Sequence, residues 1–303
     1  MYDLIIIGAG PAGLSAGLYA GRARLKTLIL EKMAVGGRIL LTSLIENFPG
    51  TPTRINTEDL VKNMEAQVKG LEVRISQENV LEIDCKQKLV KTNIETHFTK
   101  SIIVASGARP RKLGVPGEER LLGKGVSYCA TCDAPFFKDK NVVIIGGGNA
   151  VAEEAVYLSR FAQSVTIIHR RDTLRASEVL QERLKNNYRV KFSLSKVAQE
   201  IIGSAKVEGV KVKEANSEKT QVIPCDGVFI YIGYDPETDF LREKIKLDES
   251  GFIITDEDMH TSEPGILACG DCRKKSLYQV VTACADGAIA AEFAYKYISG
   301  TAK

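Results

Sequence analysis

Two cysteines three residues apart, followed directly by an acid, form the part of the sequence best suited to chemistry. The segment SYCATCDAPFF contains Cys129, Cys132 and Asp133. This spacing can close a small disulfide, in which one thiolate attacks an external disulfide and the other resolves the mixed disulfide or meets an electron donor. An adjacent carboxylic acid can hold the proton that the leaving thiol needs. We therefore predict that Cys129, Cys132 and Asp133 form a catalytic group.

Half a zinc site and two buried structural cysteines are the alternative interpretations of this pair. A zinc ion would need two further ligands, and the chain has only three histidines, none of them in a paired spacing. The sequence therefore favours a redox pair and predicts no metal site.

A glycine-rich motif that occurs twice predicts the elements around this pair. Residues 4–13 read LIIIGAGPAG and residues 142–151 read VVIIGGGNAV. Each copy has an aliphatic run suited to a buried parallel strand, then a glycine turn and a helix, predicted over 11–24 and 149–161. Such a turn brings the backbone close to a pyrophosphate, which the helix N-terminus favours. The glycine positions are Gly8, Gly10 and Gly13 in the first copy, and Gly146, Gly148 and the weaker match Val151 in the second. A plain tight turn is the alternative, and the repetition disfavours it.

The residue at the end of each second strand predicts which nucleotide each copy binds. In the first copy this residue is Glu31, whose carboxylate suits the ribose hydroxyls of FAD or NAD. In the second copy it is His169, and no acid is present. Guanidinium groups follow, which suit the 2′-phosphate of NADPH, although a solvated basic patch is the alternative. They belong to Arg170, Arg171 and Arg175.

Length and composition limit the possible classes of protein. A chain of 303 residues and 33.1 kDa predicts about two domains. A formal net charge of +3 gives no strong attraction to nucleic acid or to an anionic membrane. The uncharged N-terminal stretch is interrupted by glycines and is therefore not predicted to span a membrane. Seven cysteines at irregular spacing indicate a reducing compartment rather than a disulfide scaffold.

A second Cys-x-x-Cys, formed by Cys269 and Cys272, has a different interpretation. It surrounds a Gly-Asp turn after a predicted strand, and we expect Asp271 to contact the ribityl or phosphate region of a flavin. A redox relay or half a metal site is the alternative. The remaining cysteines are predicted to be small buried apolar residues, and they are Cys85, Cys225 and Cys284.

Together these motifs resemble those of the low-molecular-weight bacterial thioredoxin reductases. The matching segments extend along the whole chain, and the order CATCD, GGGN, HRRxxxR is the most specific part. The segments are GAGPAG at 8–13, ENFPG at 46–50, ASGARP at 105–110, CATCD at 129–133, GGGN with EE at 146–154, HRRDTLR at 169–175, and CGD with YQVVTACADGAIAA at 269–291.

The resemblance implies an α/β fold with two Rossmann-like dinucleotide-binding domains, the NADPH domain being inserted into the FAD domain. The Gly-Asp turn lies C-terminal to the second glycine motif, which agrees with a return to the first domain. The expected FAD domain comprises residues 1–114 and 247–303, and the expected NADPH domain, which carries the cysteine pair, comprises 115–246. Turn-rich or polar segments at 114–118 and 244–249 suit the two crossings.

The resemblance also implies a role for individual residues. Cys132 would face the flavin, Cys129 would attack thioredoxin, and Asp133 would be the acid–base residue. The implied FAD contacts are Gly8, Gly10, Pro11, Ala12, Gly13, Glu31, Gly36, Gly37, Asn47, Asp271 and Gln279. The implied NADPH contacts are Gly148, Asn149, His169, Arg170, Arg171, Arg175 and Gly233. The chain departs from the family pattern at Arg38, Val151 and Tyr278.

The implied activity is the transfer of electrons from NADPH, through FAD and the Cys129–Cys132 disulfide, to oxidised thioredoxin. The resemblance implies a cytoplasmic homodimer. Three alternatives remain at this point: a glutaredoxin-like or peroxiredoxin acceptor, a donor such as ferredoxin, and a non-enzymatic flavoprotein redox sensor.

Overall fold

The chain folds into two compact units, one inserted into the other. The structure, a computed structural model, describes residues 1–41, 44–45, 47–51 and 55–301, so Glu46 of the 46–50 motif lies outside the described residues. The first unit comprises residues 1–109 and 235–303, and the second comprises residues 110–234. The α/β class with two Rossmann-like units, one inserted into the other, is thereby confirmed.

The first segment of the chain contains strands β1 to β10 and two helices. In chain order these are β1 (Leu4–Ile7), α1 (Pro11–Arg22), β2 (Thr27–Glu31), a 3₁₀ helix (Gly37–Leu41), β3 (Leu44–Ile45), β4 (Ile55–Asn56), α2 (Thr57–Lys69), β5 (Arg74–Gln77), β6 (Val80–Asp84), β7 (Leu89–Thr92), β8 (Thr96–Phe98), β9 (Ser101–Val104) and β10 (Ala108–Pro110).

The remainder of the chain contains the inserted unit and the return to the first unit. The elements are β11 (Val126–Ser127), α3 (Ala130–Asp133), a 3₁₀ helix (Ala134–Phe137), β12 (Asn141–Gly146), α4 (Asn149–Leu158), β13 (Ser164–Ile168), α5 (Glu178–Lys185), β14 (Val190–Ser193), β15 (Lys196–Ile202), β16 (Gly209–Glu214), β17 (Thr220–Pro224), β18 (Gly227–Tyr231), β19 (Tyr234–Pro236), 3₁₀ helices at Asp239–Leu241 and Gly270–Cys272, β20 (Ile266–Ala268) and α6 (Val280–Ser299).

Each unit is built on a five-stranded parallel sheet of the same design. The strand order is β20-β9-β1-β2-β5 in the first unit and β11-β18-β12-β13-β14 in the second. The central strands β1 and β12 are aliphatic and almost wholly buried, as parallel strands covered on both faces must be. Each unit also has a three-stranded antiparallel sheet, β6-β7-β8 and β15-β16-β17 respectively. The glycine turns therefore lie in equivalent places, directly after the two central strands.

Both predicted helices after the glycine turns exist, and both end slightly early. Helix α1 ends at Arg22 and α4 at Leu158. Soon after α1, Arg24 has a φ of 57°, a left-handed conformation that cannot continue a right-handed helix. The apolar residues beyond each helix therefore pack as part of a turn.

The compact units divide after residues 109 and 234, whereas the sequence places the crossings after 114 and 246. At the first crossing, the buried carboxylate of Glu118 accepts the N–H groups of Leu113 and Gly114, each at 2.7 Å, which ties that segment to the inserted unit. At the second, Leu241 and Ile245 are buried in the core of the first unit. The polar residues around Leu241 and Ile245 made this segment resemble a linker, although both side chains are part of the core.

No helix among residues 1–41, 44–45, 47–51 and 55–301 is long and apolar enough to cross a membrane. The longest, α6, is instead packed against α1. A Cβ atom on its Gly287 would lie 2.1 Å from the carbonyl oxygen of Ala12, so the two helices approach backbone to backbone.

Candidate active site

The two cysteines of the segment SYCATCD are joined in a disulfide in the inserted unit. Cys129 directly precedes the short helix α3, Cys132 lies within it, and their Cα atoms are 5.3 Å apart. Both residues are partly exposed to solvent. The other five cysteines all lie among the described residues, and their thiols are free.

Asp133 is held beside the disulfide by a serine. The hydroxyl of Ser127, at the end of β11, lies 2.6 Å from a carboxylate oxygen of Asp133 and accepts the N–H of Cys129 at 3.0 Å. Burial raises the pKa of Asp133 above its usual value, and the hydrogen bond from Ser127 opposes this. A carboxyl group that holds its proton more firmly than usual suits an acid–base role next to a thiol.

The second Cys-x-x-Cys has a different environment, in the first unit. Cys269 and Cys272 are fully buried and unbonded, and the thiol of Cys272 donates to the carbonyl oxygen of Cys269. Burial raises the pKa of the Cys272 thiol to about 11 and also raises that of Cys269. Because the thiolate is the reactive form, burial and the raised pKa values disfavour thiol chemistry at Cys269 and Cys272. Of the remaining cysteines, Cys85 and Cys225 are buried, while Cys284 is only half-buried.

The first glycine turn is tightly constrained by the backbone around it. Gly8 has a φ of 106°, and a Cβ atom there would lie 2.3 Å from the carbonyl oxygen of Ala105. A Cβ atom on Gly13 would lie 1.8 Å from the carbonyl oxygen of Gly8, so the helix rests directly on the turn. Gly10 is open by contrast, because a Cβ atom there would lie 3.9 Å from the carbonyl oxygen of Gly36, an ordinary contact distance. A phosphate group can therefore approach the backbone at Gly10, where α1 begins with Pro11.

Glu31 lies at the end of β2 with its carboxylate fixed by two backbone groups. One oxygen accepts the N–H of Ala9 at 2.8 Å and the other accepts the N–H of Met33 at 3.0 Å. The residue borders a cleft of about 290 Å³. The other residues that line this cleft are Met33, Ala34, Val35, Glu65, Lys69, Ile75, Ser76 and Gln77. The structure thus brings Glu31 to the glycine turn, as ribose recognition next to a pyrophosphate requires.

Several predicted flavin contacts are brought together around this turn. The N–H of Gly36 donates to the carbonyl oxygen of Ala9 at 2.8 Å, which places the Gly36–Gly37 pair against the glycine turn. On the C-terminal side, the side-chain amide of Asn47 donates to the side-chain oxygen of Gln279 at 3.1 Å.

Asp271 lies in a charged cluster beside the N-terminus of α1. A Cβ atom on its neighbour Gly270 would lie 2.7 Å from the Cβ of Ala12, so this turn packs on the first residues of α1. The Asp271 carboxylate is paired with the guanidinium of Arg38 and lies 3.3 Å from the ammonium of Lys275. Lys275 also pairs with the buried carboxylate of Asp286 at 3.1 Å. Arg38, which departs from the family pattern, therefore has a carboxylate partner within the site.

These residues fit a bound dinucleotide. The open backbone at Gly10, the helix N-terminus at Pro11 and the fixed carboxylate of Glu31 are the groups that a pyrophosphate and an adjacent ribose need. The first unit therefore presents these groups in an arrangement that suits a dinucleotide. Tyr278, a further departure from the family pattern, packs its ring against that of Phe252.

The second glycine turn has the same course with different packing. Gly146 has a φ of 143°, and a Cβ atom there would lie 2.2 Å from the carbonyl oxygen of Tyr231. Val151 is buried in the core and packs against Gly146, which explains how the turn accommodates a larger side chain at the third position. A Cβ atom on Gly147 would lie 2.3 Å from the ring of His169, so this glycine makes room for the imidazole. Around Gly148, no atom of the described residues lies within 4 Å of a Cβ position.

The predicted basic cluster lies next to this turn. The N–H of Arg175 donates to the carbonyl oxygen of Gly147 at 2.7 Å, and the side chains of all three arginines are exposed. His169 is buried, and its Nε2 atom has no hydrogen-bond partner within the described part of the chain. Burial, followed by the positive charges of the three arginines, lowers the pKa of His169. A buried ring nitrogen without a partner beside exposed guanidinium groups fits a bound anionic nucleotide.

Two further predicted nucleotide contacts, Asn149 and Gly233, lie near the second glycine turn. The side-chain oxygen of Asn149 accepts the N–H of Ser177 at 2.9 Å, which ties α4 to the segment after the arginines. Gly233 has a φ of 113° and lies just after β18, whose last residue, Tyr231, pairs in register with Gly146.

Sequence reasoning missed two residues around the disulfide, Ser127 and Tyr231. The hydroxyl oxygen of Tyr231 accepts the N–H of Ala130, between the two cysteines, at 2.6 Å. Ser127 could have been noticed, since it lies two residues before Cys129. Tyr231 is remote in sequence, and the parallel pairing of β18 with β11 brings it close.

A comparison with known proteins agrees with this geometry. Residues 2–287 match the pyridine nucleotide-disulphide oxidoreductase family. The chain belongs to this family. Within the family, its relatives include the thioredoxin reductase of Peptoclostridium acidaminophilum, which is 45% identical over 98% of this chain and 97% of that protein. The resemblance to the thioredoxin reductases is thereby confirmed.

Solved structures of family members support the same assignment. The crystal structure of thioredoxin reductase from Streptococcus pyogenes has a TM-score of 0.89 and 42% identity, and the match covers 99% of both chains. A ferredoxin-flavin thioredoxin reductase from Clostridium acetobutylicum is more distant, with a TM-score of 0.53, 28% identity, and coverage of 99% of this chain and 98% of that chain.

Proposed function

We propose that this protein is an NADPH-dependent flavoprotein that reduces the disulfide of thioredoxin. The observation that carries the proposal is the partly exposed Cys129–Cys132 disulfide, which has a carboxyl group of raised pKa beside it. The same unit contains a glycine turn with three exposed arginines. The fixed carboxylate of Glu31 and the open Gly10 in the other unit support a bound dinucleotide, which we assign as FAD.

The chain's own residues divide into binding groups and reacting groups. When bound, FAD would supply two-electron chemistry between NADPH and the disulfide. The first glycine turn, Glu31, the Gly36–Gly37 pair, Asn47, Asp271 and Gln279 would hold FAD. Gly148, Asn149, His169, Gly233 and the three arginines would hold NADPH, with the guanidinium groups on its 2′-phosphate.

At the disulfide, the reacting groups are the two sulfur atoms and a carboxyl group. Reduction breaks the Cys129–Cys132 bond with two electrons and two protons, and yields two thiols. The thiolate of Cys129 then attacks the thioredoxin disulfide, and Cys132 displaces the mixed disulfide so that reduced thioredoxin leaves. Asp133 holds and returns the proton for these steps, and Ser127 orients its carboxyl group.

NADPH is favoured over another donor by the exposed arginine cluster. A protein that takes electrons from ferredoxin has no need of guanidinium groups for a 2′-phosphate. The family likeness to a ferredoxin-flavin thioredoxin reductase makes ferredoxin the donor to compare. Reduction of the bound flavin by NADPH, NADH and reduced ferredoxin, followed in a stopped-flow instrument, distinguishes them.

Thioredoxin, a homodimer and a cytoplasmic location complete the proposal. The names of the relatives support thioredoxin as the acceptor. Five free cysteines support a reducing compartment. A glutaredoxin-like protein or a peroxiredoxin system remains the acceptor to test alongside thioredoxin, and sedimentation measures the oligomeric state.

The deciding experiment is NADPH-dependent reduction of thioredoxin by the purified holoprotein and by single serine variants. We expect Cys129→Ser and Cys132→Ser each to abolish turnover, because neither can close the disulfide. The control is Cys225→Ala, which removes a buried thiol of the same unit whose pKa burial raises to about 12. Full turnover by either serine variant, or none by the wild type, would contradict the proposal. Loss of activity by the serine variants alone is the expected result.

A further inference from the structure

The buried carboxylate of Glu118 binds hydrogen-bond donors from two segments of the inserted unit. One of its oxygens accepts the N–H of Leu113 at 2.7 Å and the hydroxyl of Tyr128 at 2.6 Å, and the other accepts the N–H of Gly114 at 2.7 Å. The residue is 2% exposed. Glu118 therefore joins the segment where the chain enters this unit to the residue directly before Cys129.

The hydrogen bond between Tyr128 and Glu118 is of a strong kind. A carboxylate that accepts from a hydroxyl forms a charge-assisted hydrogen bond, and the two backbone N–H groups hold the Glu118 side chain in place to receive it. Burial, followed by the hydrogen bond to Glu118, raises the pKa of Tyr128 above its usual value. The tyrosine hydroxyl therefore keeps its proton at neutral pH and remains a donor.

Cys129 lies between two residues that are held by contacts outside the disulfide. On its N-terminal side, the Tyr128 ring packs against the core of the inserted unit and its hydroxyl binds Glu118. On its C-terminal side, the N–H of Ala130 donates to the hydroxyl oxygen of Tyr231 at 2.6 Å. These contacts fix the backbone on both sides of Cys129, and none of them requires the bond between the two sulfur atoms.

We propose that Glu118 is a positioning residue for the redox pair, and that it acts through the Tyr128 hydroxyl to keep Cys129 close to Cys132 after the disulfide opens. The inference rests on the proposed function, which makes this disulfide the redox centre. It gives a role to Glu118 and Tyr128, which have none in the steps described above.

Such positioning has a defined effect on the redox equilibrium. With dithiothreitol as reductant, the Cys129–Cys132 bond breaks, two S–H bonds form, and the dithiothreitol becomes a cyclic disulfide, so atoms and electrons balance. The reverse step is intramolecular, and it is favoured when the two thiols are held close together. Loss of the Tyr128 hydrogen bond gives the reduced segment more freedom, which stabilises the dithiol. Reduction of the disulfide should therefore become more favourable.

The test is the equilibrium constant for reduction of this disulfide in the full-length holoprotein, in anaerobic buffers of graded ratios of reduced to oxidised dithiothreitol at pH 7. Thiols at 129 and 132 are counted by alkylation and mass spectrometry. Full release of one residue's backbone would change an equilibrium about five- to thirtyfold. We expect partial release in Tyr128→Phe to raise the constant for reduction at least about threefold, which corresponds to about 14 mV.

Further variants make the result specific. Glu118→Gln should also raise the constant, because one amide oxygen cannot serve all three donors, and it replaces Tyr128→Phe if that variant does not fold. The double variant should show no more than the larger single effect, since the two side chains act through one hydrogen bond. The matched controls are Tyr188→Phe, at an exposed tyrosine of the same unit, and Glu119→Gln, at the exposed neighbouring carboxyl group. Both controls should follow the wild type.

An unchanged or lower constant in the folded Tyr128→Phe or Glu118→Gln variant would overturn the inference, and so would additive effects in the double variant or an equal rise in either control. The titration uses neither NADPH nor thioredoxin, so its outcome does not depend on turnover. A wild type that fails to reduce thioredoxin with NADPH would contradict the proposed function, while the titration would still report on Glu118.

Discussion

The two units share one sheet topology and differ in the side chains that surround it. Each unit has its own five-stranded parallel sheet, with a central strand, a glycine turn and a helix in equivalent places. Each unit also contains a Cys-x-x-Cys. In the first unit the turn has glycine at all three motif positions, and Cys269 and Cys272 are buried and form no disulfide. In the second, a valine replaces a glycine, and the cysteines form a partly exposed disulfide.

The difference teaches that neither motif can be interpreted without its surroundings. A carboxylate follows the second strand of one unit and a histidine with arginines follows that of the other, at the same distance from the glycines. The carboxylate suits the hydroxyl groups of a ribose, and the guanidinium groups suit a phosphate. Similarly, burial separates a redox-active cysteine pair from an unreactive one of equal spacing.

The largest expected difference between the units is in thiol chemistry. After mild reduction of the native protein, Cys129 and Cys132 should become fully alkylated within minutes, because both are partly exposed. Cys269 and Cys272 should remain unmodified until the protein is denatured, because both are fully buried and their thiols have raised pKa values. Peptide mass mapping measures both pairs in one sample. Rapid native alkylation at 269 or 272 would remove the distinction.

The next largest difference is at the third position of the two glycine turns. Gly13→Ala forces a Cβ atom to 1.8 Å from a backbone oxygen, which no side-chain movement can relieve. We expect a loss of about 3 kcal/mol or more in the free energy of unfolding, together with loss of bound flavin. At the equivalent position, Val151→Ala only leaves a small cavity in the core, and it should cost about 1 to 2 kcal/mol.

Chemical denaturation and the flavin absorbance of the purified variants measure this pair of substitutions. Equal losses in Gly13→Ala and Val151→Ala would mean that the two turns are constrained alike, contrary to their packing.

A smaller effect is expected for nucleotide selection in the second unit. The double variant Arg170→Ala, Arg171→Ala should raise the KM for NADPH at least about tenfold, since a charge-assisted hydrogen bond contributes about 1.5–3 kcal/mol. The KM for NADH should change little, because it lacks the 2′-phosphate. The control is Arg183→Ala, which removes an exposed arginine from the last turn of α5. An equal loss for both nucleotides would show that the arginines do not contact the 2′-phosphate.

The smallest expected effect is a change in the pKa of Asp133, beside the disulfide. Ser127 lowers the pKa of Asp133 against the effect of burial, so Ser127→Ala should raise that pKa further. If the protonated acid is the active form, the alkaline limb of kcat/KM against pH moves to higher pH. Ser159→Ala, at the C-terminal end of α4, is the matched control. An unchanged limb would show that Ser127 does not support Asp133.

Much of this organisation follows from the sequence, because it depends on local patterns. The strands before the glycine turns, the two helices and the insertion of one unit in the other were predictable from aliphatic runs, glycines and the order of motifs. The crossings were harder to place. Leu241 and Ile245 are buried by contacts with residues far away in the sequence, and Glu118 binds backbone groups that carry no sequence signal.

The site shows the same limit. Cys129, Cys132 and Asp133 are adjacent in sequence and are found by spacing. Tyr231 reaches Ala130 because β18 pairs in parallel with β11, the strand just before the cysteines, and composition and spacing do not encode this contact across the sheet. The pairing of Arg38 with Asp271 likewise joins two distant segments.

The central claim is that electrons from NADPH reach the Cys129–Cys132 disulfide inside this one chain. The most direct measurement adds one equivalent of NADPH to the anaerobic, oxidised holoprotein without thioredoxin, and then counts thiols residue by residue after alkylation. We predict two new thiols, at Cys129 and Cys132 alone, together with oxidation of the added NADPH. Consumption of NADPH with this disulfide still intact, or no consumption at all, would contradict the account.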